Sequence, residues 1–257
     1  MARPWTSTAP FTMTTPVALL ALVMFILWLA AFVRSAVGFG DALLAMPLLA
    51  MVLGLQVATP LVAFTGLATS ILILSTSWRK VDVRNFWRLA LASLAGMPLG
   101  IWLLRSGDER IVNLLLGLLL AGYGAYNLFM PPLPMLRNER WAYPFGFVAG
   151  ILGSAYNTSG PPVIIYGSMR RWPPPLFRAT LQGYFFFSNT LVIAGHGLAG
   201  LWTPEVLWMT LISLPVLALA VAAGALINRR IPAAQFARVV YAMLVIIGAI
   251  ILVRVWF

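Results

Sequence analysis

The chain has 257 residues, 61% of them hydrophobic and 9% charged, with a mean hydropathy of +0.94. Soluble domains carry about 25% charged residues, and a water-soluble core of this size could not hide so much apolar side chain, so the solvent is lipid and a disordered chain is excluded. The formal charge of +11 would suggest nucleic acid in a soluble protein; here it orients loops, and the lack of cysteine removes disulfides, thiol catalysis and thiolate metal sites.

The apolar runs are continuous, as at 114–120 and 242–253, whereas an outer-membrane barrel alternates apolar and polar over about ten residues. The spans are therefore helices. A polar lead rich in Thr and Ser occupies 1–16. Ten apolar segments follow at 17–37, 41–55, 57–77, 84–104, 109–130, 141–156, 160–169, 175–196, 204–227 and 233–256. The first is longer than the apolar run of a signal peptide and no small-x-small cleavage site follows it, so it is read as structure.

If the chain changes sides at each segment, 13 of the 17 Lys and Arg fall on one side, and only Arg3, Arg105, Arg110 and Arg254 on the other. Cytoplasmic loops carry the excess of basic residues, which puts both termini outside. Trp78, Trp141, Trp172, Trp202 and Trp256 lie near segment ends, where an interfacial aromatic belt belongs.

An internal repeat underlies this order. Phe32-Val33, Gly38 and Met46-Pro47-Leu48 recur 115 residues later as Phe147-Val148, Gly153 and Pro161-Pro162-Val163; Gly100 and Gly124 recur 124 later as Gly224 and Gly248. Residues 17–130 form a first repeat, 131–140 an inter-repeat loop and 141–257 a second repeat. Five segments per repeat is an odd number, so the second repeat is inverted, and the basic loop at 78–84 corresponds to the uncharged loop at 197–203. Inverted repeats are the mark of secondary transporters. The predicted fold is an all-α polytopic membrane protein whose two inverted five-segment repeats carry short broken or re-entrant helices that meet near the membrane midplane.

Segments 2 and 7 are the short ones. As a helix, 160–169 would reach about 15 Å, half of a hydrocarbon core about 30 Å thick. Between ten full spans and six spans with two re-entrant hairpins the charge count moves only Arg34, so it does not separate them. In the hairpin version the breaks Gly38-Phe39-Gly40-Asp41 and Tyr156-Asn157-Thr158-Ser159-Gly160 lie at membrane depth, where irregular backbone is tolerated only in protein or beside an aqueous cavity. Asp41 is expected to cap segment 2, Ser159 or Thr158 to cap segment 7, and Pro161 suits the first turn of segment 7. Both helices would then aim positive ends and free N–H groups at one cavity, an anion site.

Other readings of these residues stand beside that one. Glycines in membrane helices also serve close packing. Arg34 and Asp41 are either interfacial or at the site; at mid-membrane each would cost about 2.5–3.5 kcal/mol and require a partner or an anion. Arg178 and Gln182 share one helix face and are counted with the site, although an interfacial arginine would also fit Arg178. His196 is read as interfacial.

The stretch from Gly38 to Met46-Pro47-Leu48-Leu49, the run from Asn157 to Gly167 and the motif Phe177-Arg178-Ala179-Thr180-Leu181-Gln182 resemble the sulfite exporter TauE/SafE family over about residues 20–255. Many members carry a longer glycine run where this chain has Phe39 and Asp41. The resemblance implies a bacterial inner-membrane carrier for sulfite, sulfonates such as sulfoacetate, or other small anions. It implies no cofactor and no metal; the partners expected are the anion and lipid, not nucleic acid, and a homodimer stays open. An inside-negative potential expels anions by about 2.3 kcal/mol per charge per 100 mV, and Asp41 alone among the acidic residues lies clearly inside an apolar segment. Facilitated or weakly coupled export is therefore expected. Two alternatives are an intramembrane serine hydrolase using Ser159 and His196, disfavoured by the lack of a Gly-x-Ser-Gly motif, and an anion channel.

Overall fold

Each of the ten apolar segments is an α-helix: α1 (Val17–Val37), α2 (Asp41–Leu53), α3 (Leu55–Leu74), α4 (Val83–Ser106), α5 (Glu109–Phe129), α6 (Ala142–Tyr156), α7 (Gly160–Met169), α8 (Pro174–Leu198), α9 (Pro204–Asn228) and α10 (Ala233–Trp256). The structure, a computed structural model, describes residues 17–75, 78, 81, 83–106, 109–129, 134–228 and 233–256. The polar lead at 1–16, residues 131–133 of the inter-repeat loop, Arg79, Lys80, Arg229 and Arg230 lie outside the described residues, as do the side chains of Arg84, Arg105, Arg254 and Trp256. Val17–Val37, Leu55–Leu74, Phe86–Leu104 and Pro204–Ile227 are long and apolar enough to cross a membrane by length and composition. With exposed leucines and tryptophans over the outer faces of these helices, such as Leu91, Trp102, Leu211 and Leu219, the chain is a polytopic membrane protein.

Two chain breaks interrupt the helical run without leaving the bundle. Gly38 and Gly40 have φ of 100° and 104°, a region that side chains with a Cβ rarely enter. Asn157, at φ 55°, uses the tolerance of Asn for the same conformation and closes α6 by donating from its backbone N–H to Gly153 O at 2.8 Å. After each break the chain resumes as a short helix: α2 has 13 residues and α7 has 10, about 20 Å and 15 Å long.

Without a hydrophobic drive between helices in lipid, close packing depends on small residues. α4 lies along α6, α1 along α9, α5 along α10 and α3 along α8. In the α4–α6 contact a Cβ on Gly150 would stand 2.1 Å from Ser93 O, and one on Gly100 2.3 Å from Ile151 O. The backbones touch.

At one end of the bundle, Glu139 pairs with Arg88 at the start of α4 and with Arg170 after α7 (3.4 Å), while Arg170 also donates to Arg137 O at 2.7 Å. Leu136 N–H reaches Met169 O at 2.8 Å. Three of the loops assigned to the basic side by charge counting therefore meet. Trp78, Trp141 and Trp202 are exposed as an interfacial belt requires. Trp172, part-exposed just after α7, also packs edge-on against Tyr166 and Phe177.

Candidate functional site

The two breaks face each other against the central turns of α3 and α8. They enclose a cavity lined by Arg34, Phe39, Gly40, Asp41, Asn157, Thr158 and Gly160, with Val62 and Gly66 from α3 and Phe185 and Asn189 from α8. Its open volume, about 20 Å³, holds a single water. An oxyanion of four heavy atoms does not fit until something moves.

Arg34 dominates this space. It is 1% exposed, and its guanidinium has five N–H donors in a fixed fork. Nη1 donates to Asp41 Oδ2 (2.6 Å) and Gly66 O (3.1 Å); Nη2 donates to Ser70 Oγ (2.6 Å) and Gln182 Oε1 (2.9 Å); Nε donates to Gln182 Oε1 (3.2 Å). Each donor has an acceptor. The Phe185 ring lies under the guanidinium with its centroid 4.8 Å away. Arg34 therefore joins α1, α2, α3 and α8 at one point, with Asp41 as the partner that a buried charge requires. Gln182 closes the network by donating from Nε2 to Gly38 O at 2.7 Å.

Several expectations require correction. Asp41 does not cap α2: Gly40 is the N-cap, no side chain caps the helix, and Asp41 is its first residue, turned to Arg34. Its charge still suits the positive end of α2. Ser159 holds the N-cap position of α7, but neither it nor Thr158 provides a side-chain cap. The Ser159 hydroxyl lies within hydrogen-bonding reach of Tyr184, and the Thr158 hydroxyl reaches back to Leu152 O at 3.5 Å. Pro161 does sit in the first turn of α7, yet it lines a separate apolar groove with Tyr123, Trp141 and Phe145. Because Pro161 and Pro162 lack N–H groups, α7 offers far fewer free donors than the symmetric anion site required. The donor-rich end is α2.

Arg178 stands outside the cavity, where its Cγ would lie 3.6 Å from a Cβ on Gly38. His196, near the end of α8, does not face outward. It is fully buried and joins α8 to α6 through a hydrogen bond between Nε2 and Ser154 O at 3.0 Å. With Ser159 at Tyr184 and His196 at Ser154, the serine–histidine dyad of the hydrolase reading is not assembled. The Asn157 amide donates from Nδ2 to Thr59 O and leaves Oδ1 buried without a partner among the described residues.

Gly66, Ser70, Phe185 and Asn189 are among the residues of the site that escaped sequence reading. The signal was present as Gly66 and Ser70 four apart on α3 and Phe185 and Asn189 four apart on α8, one helical face each. Ser70 and Asn189, one in each pair, are polar residues inside apolar helices, and such residues mark the inward face of a bundle.

The profile of the sulfite exporter TauE/SafE family matches residues 22–251. A probable sulfite/organosulfonate exporter TauE of Cupriavidus necator is 25% identical over 229 residues, covering 85% of this chain and 88% of that protein. No solved structure matches. A match running from the first helix to the last, across both helix breaks and every helix that lines the cavity, makes this chain a member of the sulfite exporter TauE/SafE family, a multi-pass membrane transporter and not an enzyme.

Proposed function

We propose that the protein exports a small anion, sulfite or an organosulfonate, across the bacterial inner membrane, by alternating access of two inverted repeats around the Arg34 cavity. The observation that carries this reading is a buried guanidinium at the junction of two facing helix breaks, level with the middle of α3 and α8. A planar fork of donors matches the oxygens of a sulfonate or sulfite, and discontinuous helices beside it are where secondary transporters bind substrate. The name carried by the Cupriavidus necator relative agrees with that chemistry. Both termini are assigned to the periplasm from the charge asymmetry.

What supports the repeat is a set of contacts that interchange when the halves are swapped. α1 and α6 end at Val37 and Tyr156, α2 and α7 open at Asp41 and Gly160, and α3 and α8 open at Leu55 and Pro174, each pair 119 residues apart. That register replaces the 115 of the motif match near the breaks. Ser35 donates to Val221 O at 2.7 Å, and Ser154, 119 residues on, donates to Met97 O at 3.0 Å, 124 residues before Val221. A Cβ on Gly124 would meet Tyr241 O, and one on Gly248 would meet Gly117 O, the same exchange at 124. Within the cavity Gly66 and Ser70 correspond to Phe185 and Asn189. The two breaks correspond as well: Asn157 bonds Thr59 of α3, and Gly38 packs on Arg178 of α8. With five helices in each half the second enters the membrane from the opposite side, so the pseudo-two-fold axis lies in the membrane plane.

Binding to the purified protein tests this reading, with sulfite, sulfoacetate, sulfate and simple carboxylates as probes. Asn157→Ala removes a cavity wall and its anchor on α3, and is expected to weaken sulfite binding about tenfold, a loss of about 1.4 kcal/mol. Arg178→Ala, outside the cavity, is expected to weaken it by about threefold, less than 1 kcal/mol. If both variants bind as the wild type does, the site is elsewhere. Sulfite efflux from proteoliposomes driven by potential alone is expected; a strict requirement for a proton gradient excludes uniport.

A further inference from the structure

Arg34 is already paired, and that pairing bears on how an empty carrier turns round. We infer that the Asp41 carboxylate is a tethered stand-in for the transported anion: it occupies the guanidinium when the site is empty, gives way when the anion arrives, and so lets the unloaded carrier reorient as a neutral unit. This rests on the anion site proposed above.

Three observations converge on it. Asp41 Oδ2 lies 2.6 Å from Arg34 Nη1, and the Asp41 side chain is 15% exposed against 1% for Arg34, so the carboxylate is the member of the pair that faces open space. Every other Arg34 donor is held by α3 or α8, at Gly66 O, Ser70 Oγ and Gln182 Oε1. The Asp41 bond is the one an incoming oxyanion can replace without dismantling α3 or α8. Finally, among the described residues Asp41 is the sole acidic side chain lining the cavity and Arg34 on α1 the sole basic one; Arg178 on α8 lies outside it, against Gly38. From α3 and the second break Asp41 meets only neutral groups, Val62, Gly66, Asn157 and Thr158.

The cycle follows from charge alone. An empty site with Arg34 unpaired would carry a positive charge through a low-dielectric core, which is costly, and such a carrier would exchange one anion for another without releasing any net. With Asp41 in place the empty site is neutral and net export proceeds. On loading, the anion takes Nη1, and the displaced carboxylate stays at the positive end of α2, to which it belongs as the first residue of that helix. The loaded unit then carries the net charge of the anion itself, one negative charge for hydrogensulfite or a simple sulfonate, and the membrane potential acts on the loaded step. No proton is needed.

The test compares two modes of sulfite movement in proteoliposomes: net efflux into sulfite-free medium, and exchange with sulfite on both sides. In the wild type the two rates are expected to agree within about threefold, and exchange more than about tenfold faster than net efflux overturns the inference without any variant. In Asp41→Asn the ratio of exchange to net efflux is expected to rise about tenfold or more, while sulfite binds about tenfold tighter because its competitor is gone. A parallel fall of both rates, or weaker sulfite binding in that variant, overturns it. Asp41→Glu keeps the carboxylate and is expected to restore a wild-type ratio; if it behaves as Asp41→Asn does, the carboxylate is not the stand-in. Wild-type protein that neither binds nor moves sulfite contradicts the anion site instead, which separates the two failures.

Discussion

Arg34→Met is expected to abolish sulfite efflux and to destabilise the protein by about 3–5 kcal/mol, the usual effect of removing one partner from a buried ion pair. Five donor contacts vanish at once, and Asp41, Ser70 and Gln182 lose the group that satisfies them. Stability and transport can be separated by a second change. In Arg34→Met/Asp41→Asn no buried charge remains, and neutral replacement of a buried pair is often tolerated. That double variant is expected to purify in near wild-type yield and to melt within about 1 kcal/mol of the wild type, yet to show efflux at least about a hundredfold below it, the loss of about 2.7 kcal/mol of anion binding. Arg34→Lys keeps the charge but has three donors on a flexible stem in place of a planar fork, so it is expected to fall between the two. The measurements are thermal melting and sulfite efflux on the same preparations. Wild-type efflux from the double variant would mean that the guanidinium only braces α1, α2, α3 and α8, and the anion binds elsewhere.

The helices and their breaks were legible because both are written in local sequence. Apolar runs of about 20 residues, closed by Gly38-Phe39-Gly40 or by Asn157-Thr158-Ser159, fix where a helix can run and where it cannot, whatever it packs against. Hence the end of α1 at Val37 and the starts of α2 and α7 at Asp41 and Gly160 fall where the composition changes. The environment of a polar side chain is a different matter. Asp41 at the head of a helix reads as a cap, because caps are local. Its actual partner lies seven residues back, on the other side of the Gly38–Gly40 break, and only the fold of that break brings the two together. Gln182 could be tied to Arg178 by spacing on one face, but its bonds to Arg34 and to Gly38 O span 148 and 144 residues. The offset between the halves depends on which features are aligned. The glycine and proline matches fall at 115, whereas the ends of helices fall at 119 and the acceptors of the two serine bonds, Met97 O and Val221 O, at 124. The burial of His196 was not legible either, since a histidine beside Gly195 and Gly197 near a helix end gives no sign that α6 covers it.

Gly150→Ala is expected to destabilise the protein by about 3 kcal/mol and to slow transport with it, although it adds one methyl group. That methyl would stand 2.1 Å from Ser93 O and 2.7 Å from Ser93 Cα, and neither can yield as a flexible side chain would. α4 and α6 must part, at an overpacking cost of about 1–3 kcal/mol. The hydrogen bonds from Ser93 to Gly146 O (2.9 Å) and from Ser154 to Met97 O (3.0 Å) stretch as they do so, each worth about 1 kcal/mol. The same displacement reaches the site, for α6 ends at Asn157 and carries that break against Thr59 and the Arg34 cavity. Gly224→Ala, where the new Cβ would lie 2.6 Å from Phe32 O, is expected to act in the same direction through α1 and α9. Gly122→Ala is the control: nothing lies within 4 Å of its Cβ, and alanine in a helix is favoured over glycine by about 0.5–1 kcal/mol, so it should melt at or slightly above the wild type. If Gly150→Ala melts with Gly122→Ala, the α4–α6 backbones are not in contact. The link from that seam to the second break then fails with it.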